Sequence, residues 1–191
     1  MRFSLASLSF GGIIRKRRSR YVLSLHIRSA ETNEVVPVKM SKMSKADAMQ
    51  TNKELLWQSS WTSEFISDKE KLKYALKTAD GELVALGAYR VQPTCVAVEI
   101  LYIESHPESN PTMTKQKKYI GIGKAMIAFG IALSCNHGCE GCVVFEAKTS
   151  ELAEHYIRDF GAIPLSSFGG PQRFMLEGDT AYAIVSEFLK E

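Results

Sequence analysis

The chain of 191 residues lacks any run of 18 or more apolar residues. Its most apolar stretch, Ala125 to Cys135, is bounded by Lys124 and Asn136, so no segment is built to cross a bilayer as a helix and no membrane partner is expected. Four cysteines are too few for a disulfide scaffold, and Cys135, Cys139 and Cys142 crowd into one segment, which predicts thiols in a reducing, cytoplasmic setting. Large net charge is missing too: 24 Lys and Arg against 21 Asp and Glu leave +3, which demands no polyanionic partner. Acid is absent altogether from residues 1–30, where seven basic side chains stand, leaving 17 minus 21, or −4, for the rest. With 45% hydrophobic residues the composition excludes wholesale disorder and fits one medium-sized domain.

What is present begins with a front end unlike the remainder. Residues 1–20 run from an apolar, Ser-rich stretch into Arg15-Lys16-Arg17-Arg18-Ser19-Arg20. A secretory signal would order charge and apolar core the other way round. An organellar transit peptide, a nucleic-acid patch and a plain solvated tail all fit, and the expectation is a basic N-terminal extension preceding a domain at 21–191. Within that domain there is no internal repeat and no low-complexity linker to mark a second unit.

Periodicity then assigns elements. Leu23, Leu25 and Ile27, then Val35, Val36 and Val38, flank a polar turn as two short strands. Ser44 or Ser41 caps a helix through Ala46, Met49, Leu55 and Leu56, and a second helical piece takes in Trp61, Phe65 and Ile66. Leu72 to Leu76 and Leu83 to Tyr89 form a hairpin about Asp80-Gly81 with one solvated face. Val96 to Ile103 is apolar on both faces except at Glu99, as a central strand should be. A helix follows from Gly121, with Ile122, Met126, Phe129 and Leu133 on one side and Gly138 closing it. Another strand spans 142–147, a helix capped by Ser150 ends at Gly161, two short strands surround Gly169-Gly170-Pro171, and a helix covers 180–189. The order implies a mixed α/β (α+β) sheet flanked by helices.

The segment with chemical content is Lys118-Tyr119-Ile120-Gly121-Ile122-Gly123-Lys124, lying before a helix. Unpaired N–H groups at a helix start carry partial positive charge, and glycines let a phosphate approach them. The third glycine of a dinucleotide fingerprint and the Gly-Lys-Ser/Thr of a P-loop are both missing, so an ordinary glycine turn remains open on this motif alone.

With its context (buried strand, basic residue, Gly-x-Gly, helix, strand, then a helix bearing Tyr156 before Phe160-Gly161-Ala162) the segment resembles the GNAT superfamily of acetyl-CoA-dependent N-acetyltransferases, over roughly residues 70 to 166. Tyr102-Ile103-Glu104-Ser105, the Trp57 to Trp61 region and the strand Ala85-Leu86-Gly87-Ala88-Tyr89 look like a poorly characterised bacterial branch of it. The resemblance implies a twisted, mostly antiparallel sheet splayed at its central strands. It implies that Lys118, Tyr119, Ile120, Gly121, Ile122, Gly123, Lys124 and Ala125 cradle the coenzyme pyrophosphate, with Lys118 at the family's Arg or Gln. It implies that the backbone of Leu101, Tyr102 and Ile103 pairs with the pantetheine arm, and that Tyr156 protonates the departing thiolate. Thr149 stands where the family often has Asn, and Leu152 where it has Ala, so the coenzyme contacts on that side depart from the pattern.

Direct transfer to a primary amine in a ternary complex needs a base and donors for the developing oxyanion. Glu99, the sole carboxylate of an apolar strand, is the first candidate base, since desolvation would raise its pKa; an ion pair with Lys73 or Arg90 is the competing reading. Glu104 is the second candidate. A main-chain N–H near Leu101 or Tyr102 would serve the oxyanion. Trp57 and Trp61 either wall an acceptor pocket or pack as core. Cys135, His137, Cys139 and Cys142 lack the paired spacing of a structural zinc site, so no metal is expected. A coenzyme-A-binding module without catalysis is the rival function. A nucleic-acid partner is disfavoured because the basic run has no interleaved aromatics. The acceptor is unidentified, and oligomeric state, a homodimer included, is open.

Overall fold

The computed structural model describes residues 21–53, 55–92, 96–166 and 169–190; the basic extension at 1–20 and Cys95 lie outside them. The order is β1 (His26–Ser29), β2 (Val35–Lys42), α1 (Lys45–Gln50), α2 (Glu64–Ser67), β3 (Leu72–Thr78), β4 (Leu83–Val91) and β5 (Val98–Ser105). A 3-10 turn at Pro107–Ser109 follows, then β6 (Tyr119–Ile120), α3 (Ile122–His137), β7 (Val143–Glu146), α4 (Ser150–Phe160), β8 (Ile163–Leu165), β9 (Arg173–Leu176) and α5 (Gly178–Ser186). Among the described residues the strands make one sheet ordered β6-β1-β2-β3-β4-β5-β7-β9-β8, antiparallel throughout except where β5 runs parallel to β7.

Each sheet face is covered. On one, α3 and α5 pack over Tyr89, Val98, Ile100, Val143 and Phe174, with Phe145 reaching Tyr156 of α4. On the other, α1, α2 and the Trp57–Trp61 segment cover Ala75, Leu83, Leu86 and Ala88. The β3–β4 hairpin forms about its Gly81 turn as the alternation predicts, but the expected solvated face is not there. Residues 83–89 of β4 are all buried, because the second helical layer sits on the side that the lysine alternation of β3 marks as polar. Lys77, one of those lysines, is instead satisfied by Asp47 of α1 at 2.6 Å.

Local chemistry explains the helix ends. Ser44 and Asp47 form a reciprocal capping box at the start of α1, each side chain bonding the other's amide. The helix then stops at Gln50 rather than continuing to Leu56, since the Thr51 hydroxyl donates back to the Ala48 carbonyl at 2.7 Å and the chain turns. Leu55 and Leu56 are consequently exposed. Residues 57–61 are irregular, with a bend at 58–59 and a turn starting at 61, so Trp57 and Trp61 are not a helical stripe. For α4 the cap is Thr149, whose hydroxyl oxygen accepts from the Leu152 amide; Ser150 is the first helical residue.

Candidate active site

The site is set by how β5 leaves its neighbours. Val98, Glu99 and Ile100 pair with Val143, Val144 and Phe145 of β7, after which the two parallel strands part: β5 runs on to Ser105 while β7 ends at Glu146. At the same level the register with β4 shifts, Tyr89 facing Ile100 and Ala88 facing Tyr102, so Leu101 is the extra residue of a bulge. A one-residue bulge exchanges the faces of everything after it. Val98 and Ile100 point into the core under α3, yet Tyr102 packs against the opposite core and Glu104 is bonded there to Trp61; Ile103 returns to the α3 side. The bulge is therefore what brings Glu104 to the tryptophan face.

Glu104 is 8% exposed. Its carboxylate accepts the indole N–H of Trp61 at 2.9 Å and the amide of Ser59 at 3.2 Å. Trp61 is itself 1% exposed, so it is a buried donor rather than a pocket wall, and the Trp57 ring meets His106 edge-on. Burial lowers the His106 pKa, and this outweighs the carboxylates of Glu108 and Glu82, which act to raise it.

Glu99 lies on the same sheet face but in a different setting. Arg90 donates to it through Nε at 2.7 Å and also through Nη2, Gln92 donates at 3.0 Å, and Arg173 stands 3.5 Å away. Burial pushes its carboxyl up, but the bonds from Gln92 and Arg90 and the two guanidinium charges prevail, leaving its pKa below the usual carboxylate range. The ion pair with Arg90, open in the sequence, is the observed state.

The glycine segment ahead of α3, the helix that packs on β5, divides into two parts. Tyr119–Ile120 is an edge strand on β1. Lys118 Nζ is bound to Glu82 at 2.7 Å, with Glu108 at 3.8 Å, and the Tyr119 hydroxyl donates to the same Glu82. The Glu82 hydrogen bond is the main reason the Lys118 pKa is raised. The amides of Lys118 and Tyr119 are spent on the Glu108 carbonyl and Ser109 Oγ. The second part, from Gly121, is the helix start. Gly121 caps α3 at φ +83°, a left-handed conformation that favours glycine, and a Cβ added at Gly121 or Gly123 would meet nothing within 4 Å. Ile122 and Ala125 are buried, and the Ala125 amide, expected in the phosphate cradle, is spent on the Gly121 carbonyl at 3.1 Å, so of the two only the Ile122 amide could serve a ligand; Lys124 is paired with Glu187.

Tyr156 on α4 is packed among Phe145, Phe174 and Phe160, and burial raises its pKa to about 12. Thr149 is occupied as the α4 cap. A residue the sequence reading passed over is Lys148. It follows β7, and its Nζ lies 5.2 Å from the centroid of the Tyr102 ring of β5. No group of three metal-ligating side chains forms among the described residues, and burial raises the thiol pKa values of Cys135 and Cys142.

No protein-family model matches the chain, and no curated protein does. Solved structures do match. The chain is similar to an acetyltransferase of the GNAT family from Listeria monocytogenes 4b F2365, with a TM-score of 0.52 and 13% identity, covering 80% of this chain and 99% of that one. It is also similar to a chimera of spermidine N-acetyltransferase SpeG from Vibrio cholerae and hSSAT, with a TM-score of 0.53, 14% identity and coverages of 78% and 98%. The fold is that of the GNAT acetyltransferases. The mixed α+β sheet, parted between β5 and β7, agrees with the GNAT-like architecture expected from the sequence. No helix among the described residues is long and apolar enough to cross a membrane.

Proposed function

We propose that the chain is an N-acetyltransferase that moves an acetyl group from acetyl-CoA to a primary amine by direct transfer in a ternary complex. The observation that carries this reading is the V-shaped parting of β5 and β7 at the Leu101 bulge, with the open, glycine-lined start of α3 beside it. The free amides from Gly121 to Lys124, and the space above Gly123, suit a pyrophosphate. Past Ile100 the β5 ladder no longer includes β7, and this opening suits an amide-bearing arm, which would run along Leu101, Tyr102 and Ile103 as a further strand would.

Glu104, not Glu99, is the proton acceptor in this reading. Glu99 is held ionised by three donors and pinned by guanidinium groups, so it is a weak base with no free geometry. Glu104 lies beyond the bulge at the cleft, each oxygen fixed by one donor and with acceptor capacity left. As the amine nitrogen forms its bond to the acetyl carbon and the carbon–sulfur bond breaks, the nitrogen's proton passes to Glu104, directly or through water. The carbonyl oxygen's developing charge is taken by a main-chain N–H at Leu101 or Tyr102. Tyr156 donates to the leaving sulfur. A phenol with a pKa of about 12 is a poorer acid than a thiol near 8.5, so Tyr156 stabilises the thiolate by a hydrogen bond rather than by complete proton transfer.

Initial rates with acetyl-CoA and a panel of primary amines test the reading. Free CoA and acetylated amine should form one for one, with intersecting double-reciprocal lines. Parallel lines would indicate an acetylated enzyme instead, and coenzyme binding without turnover on any amine would favour the non-catalytic module.

A further inference from the structure

Acetyl transfer makes no use of the cysteines between α3 and β7. Cys139-Glu140-Gly141-Cys142 is a tight turn there, in which the Cys142 amide donates to the Cys139 carbonyl at 3.0 Å. Both central residues are left-handed, Glu140 at φ +54° and Gly141 at φ +85°. Positive φ at both central positions is the type I′ geometry, which brings the first and fourth Cα atoms within about 7 Å. A disulfide spans Cα atoms about 4.4–6.8 Å apart, so the turn sets its two cysteines at bridging distance.

The turn is held from several sides. The Cys139 amide donates to the Ser134 carbonyl at 2.9 Å and the Gly138 amide to the Cys135 carbonyl at 3.1 Å, which closes α3. The Ser134 hydroxyl reaches the carbonyl oxygens of Cys139 at 3.1 Å and Cys142 at 2.8 Å. The Cys142 carbonyl also accepts the Val98 amide at 3.0 Å, tying the turn to β5. A non-glycine residue stays left-handed, as Glu140 does, where its surroundings over-determine it. Cys135, Cys139 and Cys142 are all thiols, Cys139 buried and the other two half-buried. Burial is the main cause of the raised Cys142 pKa, and Cys139 and Glu177 add to it, so the two sulfur groups feel each other. The Cys135 thiol is instead engaged with the Tyr21 hydroxyl.

We infer that Cys139 and Cys142 form a reversible modification site, a dithiol that a hydroperoxide converts to a disulfide. The Cys142 sulfur, the more accessible of the two, attacks the peroxide as thiolate. An S–O bond forms and the O–O bond breaks; with hydrogen peroxide the sulfenic acid appears and a water leaves. The Cys139 sulfur then attacks the Cys142 sulfur, so that the S–S bond forms, the S–O bond breaks and a second water leaves with the Cys139 proton. In sum, two thiols lose two electrons and two protons, and one hydrogen peroxide becomes two waters. A dithiol reductant reverses the bridge by exchange. The inference is independent of the acetyl-transfer reading, and neither stands or falls with the other.

The full chain, freshly reduced, is treated with a small excess of hydrogen peroxide at about pH 8.5, where more of the thiol is ionised. Its intact mass should fall by about 2 Da, with no oxygen added. Alkylation with N-ethylmaleimide in denaturant should then label Cys95 and Cys135 but not Cys139 and Cys142, and dithiothreitol should restore labelling of all four cysteines. Three double variants identify the pair, each leaving two thiols of the segment. Cys95→Ser/Cys135→Ser should lose the same 2 Da at the parental rate, about as in the unaltered chain. Cys95→Ser/Cys139→Ser and Cys95→Ser/Cys142→Ser should form an internal bridge about tenfold or more slowly, since no turn orients their remaining pairs. Undiminished labelling of Cys139 and Cys142, a bridge that includes Cys95 or Cys135, a stable sulfinic acid at Cys142, or equal closure in all three variants overturns the inference.

Discussion

Glu99 and Glu104 are five positions apart on one strand, face the same side of the sheet and have opposite chemical situations. Three donors surround Glu99, and they lower its pKa on folding. Its contribution to stability is therefore complete above the unfolded value near 4.3 and fades as pH falls through the lower folded value. Glu99→Gln should cost about 1 kcal/mol at neutral pH, a modest figure because Arg90 is half exposed. Denaturant unfolding at pH 7 and pH 3 checks this: the variant should differ less from the parent at pH 3, and a difference that grows on acidification would contradict it. Acetyl transfer by Glu99→Gln should stay near parental. Glu104→Gln should lower kcat by about a hundredfold or more, the usual range for a lost general base, with little change in acetyl-CoA affinity. The reverse ranking in initial rates would return the base to Glu99. The sequence left both readings open, naming an ion pair with Arg90 as the alternative for Glu99 and Glu104 as the second candidate base. An apolar strand with one acid in its middle presents Glu99 as the desolvated group, and the Arg90 and Gln92 that neutralise it sit on the neighbouring strand end.

At the scale of elements, punctuation was the readable signal. Gly138 and Gly161 end α3 and α4 as their positions foretell, and the Ser44 cap begins α1. Ser44→Ala should cost about 1 kcal/mol and lower Tm by about 2–4 °C, measured by thermal unfolding. No change in Tm would mean that α1 is held by its packing alone. The bulge at Leu101 was not readable, because residues 98–103 are apolar on both faces except at Glu99 and a one-residue slip leaves no trace in such a pattern. Nor was the link from Lys118 to Glu82, which lie 36 residues apart. That link changes what Lys118 is expected to do: as an exposed ion pair it holds the approach to α3 and does not offer a bare cation to phosphate. Exposed pairs are worth about 0.2–1 kcal/mol. Lys118→Met and Glu82→Gln should each weaken acetyl-CoA binding only a fewfold, and together no more than either alone. A large loss from Lys118→Met with none from Glu82→Gln would instead make Lys118 a direct phosphate ligand.

On the whole-molecule scale, β5 parts from β7 after Ile100, and α3, which packs on β5, opens from Gly121; the proposed coenzyme site lies where the two features meet. In the proposed reading the start of α3 receives a ligand: among the described residues no group bonds the amides of Ile122 to Lys124, and a Cβ added at Gly123 would meet nothing within 4 Å. Gly121 is a poor probe of that space, because its left-handed backbone makes any substitution strained. Gly123 carries no such constraint, so Gly123→Val should fold as the parent does and differ only where a ligand's phosphates would lie. Calorimetric titration of acetyl-CoA into the parent and into Gly123→Val is therefore the most direct test. The parent should bind with micromolar affinity, and a Gly123→Val variant of unchanged Tm should not bind. Absence of binding by the parent, or equal binding by both, would contradict the proposed site.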